Sequence, residues 1–374
     1  MKILHLSDGT LPDIRIERAA INAIEKKHEV IFAGGAPVTG QIFNAFTKTY
    51  SQPWTRYQRL GIPFTARTHQ KWLWQILQHE EPDLIHAHDL FAGKLALDLG
   101  YPFVYDDHEY WGVQIKDAGT QLWQPRREPH RRLALSFATR NWRRWEALIL
   151  HQTPCITVSE EIARIYRKIQ PNTYVIPNVP TRKETKIIPP NTPIDSEFRV
   201  AYISARGDLA FDARGDAAAL GLWRENQMEA KLVFVGPQIL KSSNVENHGF
   251  VPHNDMFQII ANCDVALMGW ETSFPHLSIQ NKFALFLHTG LRTMLPKSLV
   301  VMGRFATHHN VGWIWHSPDE LKTLIQELSN SYFADPDAVN QEKKRTRAVA
   351  QKYLLWEQYE ARLYEAYEAV LSNS

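Results

Sequence analysis

The segment Pro82–Glu109, PDLIHAHDLFAGKLALDLGYPFVYDDHE, decides the fold predicted for this chain. Two short apolar runs, Asp83–Ala87 and Phe103–Tyr105, enclose a stretch with helical composition, Leu90–Leu99. Continuous apolar runs of this length are typical of parallel strands that are covered on both faces. The segment therefore predicts a strand–helix–strand unit of a parallel sheet.

Polar side chains follow both predicted strands. His88 and Asp89 come after the first strand, and Asp106–Glu109 come after the second. The carboxyl ends of parallel strands meet at one edge of the sheet, and open α/β folds bind their ligands at this edge. We therefore expect the functional site there.

A second segment, Ser278–Gly290 (SIQNKFALFLHTG), begins a helix soon after another apolar run. The unsatisfied N–H groups and the dipole of a helix start favour phosphate. A cleft between two domains that uses both segments is expected to hold a phosphorylated ligand.

Length and composition restrict the class of protein. The chain has 374 residues, enough for two domains, with 44% hydrophobic and 22% charged residues. A net charge of +2 gives no argument for nucleic acid. Cys155 and Cys263 are the only cysteines, so neither a disulfide framework nor a thiolate metal site is expected. We find neither a membrane-spanning apolar run nor a signal peptide, which predicts a cytoplasmic protein.

Strand and helix alternate through two regions of the chain. The first region ends at a proline-rich segment, Ile176–Phe198, which is typical of an extended linker. The strands predicted after the linker are Arg199–Ile203, Lys231–Val235, Val265–Met268, Thr293–Leu295 and Val300–Met302. A last helix is predicted over Arg345–Leu371, where aromatic and apolar residues recur at helical spacing. The pattern predicts two α/β domains.

Six motifs resemble, in order, the landmarks of glycosyltransferase family 4. They are HAHDLFAGKLALDLGYPFVYDDHE (86–109), ITVSEEIARIY (156–166), VIPNVP (175–180), VGPQI (235–239), GFVPHNDMFQIIANCDVALM (249–268) and SIQNKFALFLHTGL (278–291). The likeness spans nearly the whole chain. It implies the GT-B fold, in which two Rossmann-like domains face each other across a cleft and the C-terminal helix crosses back to the first domain. The implied bounds are 1–180 for the acceptor-side domain, 181–198 for the linker, 199–350 for the nucleotide-sugar domain and 351–374 for the terminal helix.

The resemblance implies transfer of a sugar from a nucleotide diphosphate sugar with retained configuration, and with neither a metal nor another cofactor. The leaving diphosphate develops charge, so a metal-free site has to supply cations and aimed N–H donors. The donor-binding residues that the family pattern implies are Arg206, Arg214, Ser278, Gln280, Asn281 and Lys282. Solvated loop arginines and an ordinary N-cap at Ser278 are the alternatives for this set. The acceptor is expected in a polysaccharide, glycolipid or glycoprotein pathway.

The chain departs from the family at two positions. Many members carry Glu-x7-Glu across the second segment, and the corresponding residues here are Leu277 and Leu285. Leucine cannot accept a hydrogen bond from a hydroxyl group. Either another group such as Glu271 contacts the ribose, or nucleotide binding is weak. A catalytically impaired partner subunit therefore remains an alternative, and a nucleotide-sugar epimerase with the same scaffold is another.

His108 follows the predicted strand Phe103–Tyr105, and the resemblance places it near the donor sugar. A neutral imidazole there could hydrogen-bond a sugar hydroxyl or polarise the phosphate, with Glu109 orienting it. These two are the predicted catalytic residues, and a His–Glu pair that caps the strand end is the alternative. Gly9, in the first loop, is predicted to let backbone N–H groups approach a substrate.

The sequence His86-Ala-His88 raises the question of a metal. Residues two apart on a strand face the same side, so both imidazoles could reach one ion. Metal hydrolases with this motif need further ligands on later barrel strands, and the predicted sheet is open. We therefore predict that both histidines are packing residues and that no metal is bound.

The segment Arg126–Trp145, RREPHRRLALSFATRNWRRW, interleaves arginines with apolar and aromatic residues. A basic helix with aromatic residues suits an anionic membrane surface. This predicts peripheral docking on the inner membrane face, with a lipid-linked or polyanionic acceptor. The alternative is a helix that buries its apolar side and leaves its arginines in solvent.

Overall fold

The computed structural model describes residues 1–9, 11, 13–35, 45–54, 66–108, 110, 129–186, 197–204, 216–236, 240–269 and 276–372. They form two compact units. The N-terminal unit comprises Met1–Asn178 and Tyr359–Ser374, and the C-terminal unit comprises Val179–Gln358.

Each unit is built on one parallel sheet. The strands of the N-terminal sheet are β1 (Lys2–Ser7), β2 (Glu29–Gly34), β3 (Lys48–Ser51), β4 (Leu84–His88), β5 (Phe103–Asp107), β6 (Cys155–Thr157) and β7 (Thr173–Val175). Their order across the sheet is β3-β2-β1-β4-β5-β6-β7. The strands of the C-terminal sheet are β8 (Arg199–Ile203), β9 (Lys231–Val235), β10 (Val245–Gly249), β11 (Val265–Leu267), β12 (Arg292–Pro296) and β13 (Gly312–Trp315). Their order is β10-β9-β8-β11-β12-β13.

The helices alternate with these strands. Those before the second unit are α1 (Ile14–Glu25), α2 (Arg67–Glu80), α3 (Asp89–Leu99), α4 (Pro129–Gln152) and α5 (Glu160–Tyr166). Those of the second unit are α6 (Arg182–Thr185), α7 (Asp216–Arg224), α8 (His253–Ala261), α9 (Asn281–His288), α10 (Val300–His308), α11 (Pro318–Ala334) and α12 (Pro336–Tyr353). The last helix, α13 (Glu360–Leu371), belongs to the first unit. Among the described residues, no helix combines the length and the apolar character that a membrane crossing requires.

Local signals explain the helix starts next to the N-terminal sheet. Asp13 accepts hydrogen bonds from the backbone N–H groups of Arg15 and Ile16, and Ser159 accepts one from Ile162. Such N-caps satisfy backbone donors that the helix itself leaves unpaired. These two caps therefore determine where α1 and α5 begin.

The C-terminal helix packs back on the N-terminal sheet, as expected. Tyr367 is fully buried, and the Arg362 guanidinium donates to the carbonyl oxygen of Val175 at the end of β7. The prediction of a single helix over Arg345–Leu371 is wrong, because the helix is interrupted between α12, which ends at Tyr353, and α13, which begins at Glu360. Between the two helices, the backbone N–H of Trp356 donates to the Pro180 carbonyl, and the Trp356 side chain is buried.

Other differences from the sequence prediction concern short or half-exposed elements. Val300–Met302, predicted as a strand, is the first turn of helix α10. Three apolar residues cannot distinguish a strand from a buried helix face. The sequence also missed β3, β10 and β13, each of which lies at a sheet edge. Edge strands are covered less completely, and the sequences of β3 and β10, KTYS and VENHG, lack the apolar run of a central strand.

Candidate functional site

The carboxyl ends of β1, β4 and β5 bring four polar side chains onto one face of the N-terminal sheet. In the parallel register, His5 pairs with His86 and His88 pairs with Asp106. Residues two apart share a face, so these pairings place His5, His86, His88 and Asp106 together. All four are buried, and the rings of His86 and His88 stack with centroids 4.1 Å apart. Both histidines of the HAH motif thus face the same side.

Three imidazoles form a hydrogen-bonded row from the interior towards the surface. Nδ1 of His5 lies 3.0 Å from Nε2 of His88, and Nδ1 of His88 lies 3.1 Å from Nε2 of His108. Nε2 of His5 is buried and has no hydrogen-bond partner among the described residues. The row therefore links His108, at the strand end, to the middle of the sheet.

A buried ion pair holds Asp106 within this cluster. Arg15 of α1 donates from Nη2 to Oδ1 of Asp106 at 2.6 Å and from Nε to Oδ2 at 3.0 Å. Its third contact is from Nη1 to the Ile176 carbonyl at 2.9 Å. Oδ2 of Asp106 also lies 3.2 Å from Nε2 of His86, whose Nδ1 is 2.8 Å from the Tyr367 hydroxyl. Segments distant in the sequence, α1 and α13, thus complete the cluster.

His108 is held by two carboxylates. Its backbone N–H donates to Oδ1 of Asp89 at 3.0 Å, its Nδ1 lies 3.6 Å from Oδ2 of Asp89, and its Nε2 lies 3.3 Å from Oδ2 of Asp106. Burial alone would lower the pKa of His108, but Asp89 and Asp106 outweigh burial and raise the pKa to about 9. The neutral imidazole expected from the sequence is therefore wrong near pH 7, where His108 is an imidazolium. Asp89 has a φ of 67°, a strained backbone position of the kind that clusters at functional sites.

The inner histidines differ from His108 in charge. Burial lowers the pKa of His5, His86 and His88, so these imidazoles are neutral. Burial would raise the pKa of Asp106, but Arg15 and His108 hold it well below its usual range. The cluster thus consists of an ionised carboxylate between a guanidinium and an imidazolium, with neutral imidazoles behind it.

Asp107 belongs to a separate buried network. Its carboxylate accepts hydrogen bonds from the Tyr166 hydroxyl at 2.7 Å and from the Tyr110 N–H at 3.1 Å. Burial raises the pKa of Asp107 to about 6, although the Tyr166 bond opposes this. The Asp107 carboxylate already accepts hydrogen bonds from these two protein groups. We therefore assign Asp107 a structural role.

Gly9 lies in the loop after β1, where its carbonyl accepts the N–H of Gly35 at 2.8 Å and its own N–H donates to the Ser7 hydroxyl at 3.0 Å. The loop approaches β2 so closely that a Cβ at Gly35 would lie 2.1 Å from the Asp8 carbonyl oxygen. The position of the loop that carries Gly9 therefore depends on the absence of a side chain at Gly35.

We expect Gly35→Ala to destabilise the chain by about 1–3 kcal/mol, because the added methyl group forces backbone apart. The matched control is Gly221→Ala in α7, where a Cβ meets nothing within 4 Å. There the greater helix propensity of alanine should be neutral or stabilising by up to about 1 kcal/mol. Thermal unfolding followed by circular dichroism distinguishes the two variants, and equal melting temperatures would refute the close approach.

In the C-terminal unit, helix α9 begins at Asn281, where the sequence predicted a helix start. Gln280 is the N-cap, but its side chain makes no capping hydrogen bond. Both polar atoms of this side chain are buried and lack a hydrogen-bond partner within the described part of the chain. Lys282 extends its Nζ to the Ile203 carbonyl at 3.5 Å, at the carboxyl end of β8, and lies over the Tyr202 ring. Asn281 is the first residue of the helix.

Ser278 does not cap α9. Its hydroxyl lies 3.2 Å from Nδ1 of His276 instead, so the expectation of an ordinary serine N-cap is wrong. Of the two leucines at the family's glutamate positions, Leu277 is half-buried and Leu285 is 2% exposed. Leu285 packs in the interior of the unit. A carboxylate at this position would need a partner to offset its loss of hydration.

Several predicted residues lie outside the described residues: Glu109, Arg206, Arg214 and Glu271. Of the segment Arg126–Trp145, the structure describes side chains from residue 136 onward. Trp142 and Trp145 pack edge-on against Phe91, whereas Arg140, Arg143 and Arg144 are exposed. The two tryptophans are therefore packing residues of the unit, as the alternative interpretation of this helix held.

Among the described residues, two sets of side chains converge closely enough to hold a metal ion. They are His5 with His86 and His88, and His88 with Asp106 and His108. The sequence identified the HAH motif and His108 and placed Asp89 and Asp106 among the polar residues of this edge, but it gave those two aspartates no role and did not indicate Arg15 or His5. The available signals were a histidine that alternates with leucine in β1 and a tandem aspartate at the end of β5.

Comparison with known proteins is consistent with this architecture. Residues 16–179 match the model of Glycosyltransferase Family 4. No curated protein matches the chain. Sucrose-phosphate synthase from Thermosynechococcus elongatus is similar in structure, with a TM-score of 0.72, 15% identity and coverage of 100% of both chains. A glycosyltransferase from Rickettsia africae gives a TM-score of 0.67 at 12% identity, over 100% of this chain and 99% of the other. HepE of Anabaena, solved in complex with UDP, gives 0.64 at 14% identity, over 98% of this chain and 100% of the other. The fold of this chain is GT-B.

Proposed function

We propose that this chain is a glycosyltransferase that moves a sugar from a nucleotide diphosphate sugar to a hydroxyl group of a polysaccharide, glycolipid or glycoprotein-pathway acceptor. The observation that carries the proposal is the start of α9, where the buried side-chain amide of Gln280 lacks a partner in the described residues. A buried amide without a partner is costly unless a ligand supplies one. The family match to residues 16–179 and the GT-B fold give the reaction class.

The donor diphosphate binds at the start of α9 in this proposal. The first N–H groups of a helix have no partner within it and point outward, so they bind phosphate oxygens. Lys282 adds a cation beside the end of β8, and Arg214 is proposed to add a second. The helix start, the Gln280 amide and the two cations together stabilise the negative charge of the leaving diphosphate, so we propose that no metal is required. HepE of Anabaena has also been solved in complex with UDP and glucose, which makes UDP the first nucleotide to test.

His108 is the proposed catalytic residue of the N-terminal unit. As an imidazolium held by Asp89 and Asp106, it donates a hydrogen bond to the donor sugar or phosphate. We propose front-side displacement with retained configuration. In this mechanism the leaving diphosphate accepts the acceptor proton and no protein nucleophile is used.

The test is thermal shift with UDP, GDP, ADP and dTDP. A nucleotide at 100 times its dissociation constant stabilises the folded state by about 2.7 kcal/mol. We expect one nucleotide to raise the melting temperature, and both Lys282→Ala and Arg214→Ala to reduce this shift. The control is Lys344→Ala, an exposed lysine of α12, which should leave the shift unchanged. Absence of a shift with all four nucleotides would reject the proposed donor site.

A second candidate function is a partner subunit that keeps the fold without transferring sugar. The buried Leu285 favours it, because the residue offers no hydrogen bond to a ribose. Sugar transfer by the purified chain alone would exclude this alternative.

A further inference from the structure

The two metal-competent sets of side chains in the N-terminal unit are not equivalent. In the set of His5, His86 and His88, both ring nitrogens of His86 already have partners, Tyr367 and Asp106. All three side chains are buried, so a hydrated ion has no open coordination position there. The set of His88, Asp106 and His108 reaches the surface, because the His108 side chain is 12% exposed while that of Asp106 is 3% exposed.

The spacing of this second set fits one particular geometry. Nδ1 of His88 and Nε2 of His108 are 3.1 Å apart, Nε2 of His108 and Oδ2 of Asp106 are 3.3 Å apart, and Nδ1 of His88 and Oδ2 of Asp106 are 3.5 Å apart. A tetrahedral zinc ion with bonds of about 2.0–2.1 Å places its ligand atoms about 3.3 Å apart. We infer that His88 Nδ1, Asp106 Oδ2 and His108 Nε2 form a binding site for one Zn²⁺-class ion, with a fourth position open to water on the His108 side.

The second polar atom of each of the three proposed ligands already has a protein partner, as is common in metal sites. Nε2 of His88 is 3.0 Å from Nδ1 of His5, and Nδ1 of His108 faces Asp89 at 3.6 Å. Oδ1 of Asp106 accepts from Arg15 at 2.6 Å. Metal-binding histidines and carboxylates commonly have such outer partners, which orient them and set the tautomer.

Arg15 is the group that opposes a cation here. Its Nε also contacts Oδ2 of Asp106, at 3.0 Å. Oδ2 also accepts from Nε2 of His86 at 3.2 Å, so its two lone pairs are both engaged. An ion at Oδ2 therefore replaces the Nε contact, while Arg15 keeps its Nη2 bond to Oδ1 at 2.6 Å. Asp89 adds a second negative charge on the far side of His108. The two carboxylates carry one more negative charge than the guanidinium carries positive charge. The net charge of these three groups therefore favours a cation at the three ligand atoms.

Occupation of the site has a consequence for the reaction, and this part of the inference rests on the proposed function. A bound ion coordinates Nε2 of His108, the ring nitrogen 3.3 Å from Asp106, so this nitrogen can no longer donate a hydrogen bond to a substrate. Zn²⁺ should therefore inhibit sugar transfer, and a chelator should restore it. In this inference the ion blocks His108 and takes no part in the transfer itself.

The binding test uses the full chain freed of metal by a chelator and titrated with Co²⁺. A tetrahedral Co²⁺ site gives an intense visible absorption, and Zn²⁺ should then displace Co²⁺ and remove it. We expect His108→Ala to weaken Co²⁺ binding at least tenfold, with near-native circular dichroism because the side chain is partly exposed. The control is the double variant His308→Ala with His309→Ala, a surface pair with rings 4.7 Å apart, which should keep the absorption.

Absence of the absorption in the wild type, or equal absorption in His108→Ala, would overturn the inference. His88→Gln provides a second variant with the same expectation, read by Zn²⁺ competition against a chromophoric chelator. Because the readout is metal binding, it is independent of the nucleotide panel. A positive Co²⁺ signal with no nucleotide shift would reject the proposed function while supporting the metal site.

Discussion

Replacing Asp106 with alanine is expected to lower the free energy of unfolding by about 3–5 kcal/mol. The substitution leaves the Arg15 guanidinium buried without the carboxylate that it contacts at 2.6 Å and 3.0 Å. An uncompensated buried charge costs far more than the pair itself contributes. Denaturation by urea, with fluorescence and circular dichroism as separate probes, measures the loss.

Two comparisons separate this effect from a general loss of packing. Glu160→Gln breaks an exposed ion pair, in which the side chain of Arg167 is 38% exposed and that of Glu160 is 49% exposed. This substitution should lower the free energy of unfolding by less than about 1 kcal/mol. Arg15→Met combined with Asp106→Leu removes both charges and should be more stable than Asp106→Ala alone, because no charge is left without its partner. If the double variant were the least stable, the cost would come from shape and not from charge.

The sequence predicted the central strands of both sheets because burial on both faces leaves a continuous apolar run. Arg199–Ile203 and Lys231–Val235 were predicted with the bounds that the structure has. Edge strands such as Val245–Gly249 have no such run, since one side of the strand has no neighbour. Local sequence therefore predicted the interior strands but missed three of the four edge strands of the described sheets, β3, β10 and β13.

The candidate site was predictable only in part, for a different physical reason. The HAH motif and His108 lie in a single segment, where strand periodicity shows that they share an edge. Arg15 and Tyr367 reach the cluster from helices at opposite ends of the chain. The contacts of Arg15 and Tyr367 with the cluster depend on the strand order of the sheet and on the packing of α13 against it. The residue pattern of a single segment therefore does not indicate them. The raised pKa of His108 depends on Asp89 at the start of α3 as well as on nearby Asp106, so its prediction also requires the strand order.

Replacing His108 with alanine is expected to reduce sugar transfer by about 10²–10⁴-fold, the usual contribution of a positioned proton donor. The imidazolium is held between Asp89 and Asp106, so a substrate oxygen that reaches it meets a donor already oriented. The measurement is the initial rate of nucleoside diphosphate release from the nucleotide sugar that the binding panel selects. Exposed His316, replaced by alanine, is the control for a general effect of removing a histidine, and its rate should match the wild type.

Nucleotide binding distinguishes a catalytic role of His108 from a role in binding or folding. The proposed diphosphate site is formed by Gln280 and Lys282 in the other unit, so His108→Ala should keep the thermal shift with the selected nucleotide. A tenfold loss of rate corresponds to about 1.4 kcal/mol in the barrier, so the expected loss is about 3–5 kcal/mol of transition-state stabilisation. A rate within tenfold of the wild type would show that His108 caps the strand end and that the proton donor lies elsewhere. Loss of both rate and nucleotide shift would point to misfolding, which the circular dichroism spectrum checks directly.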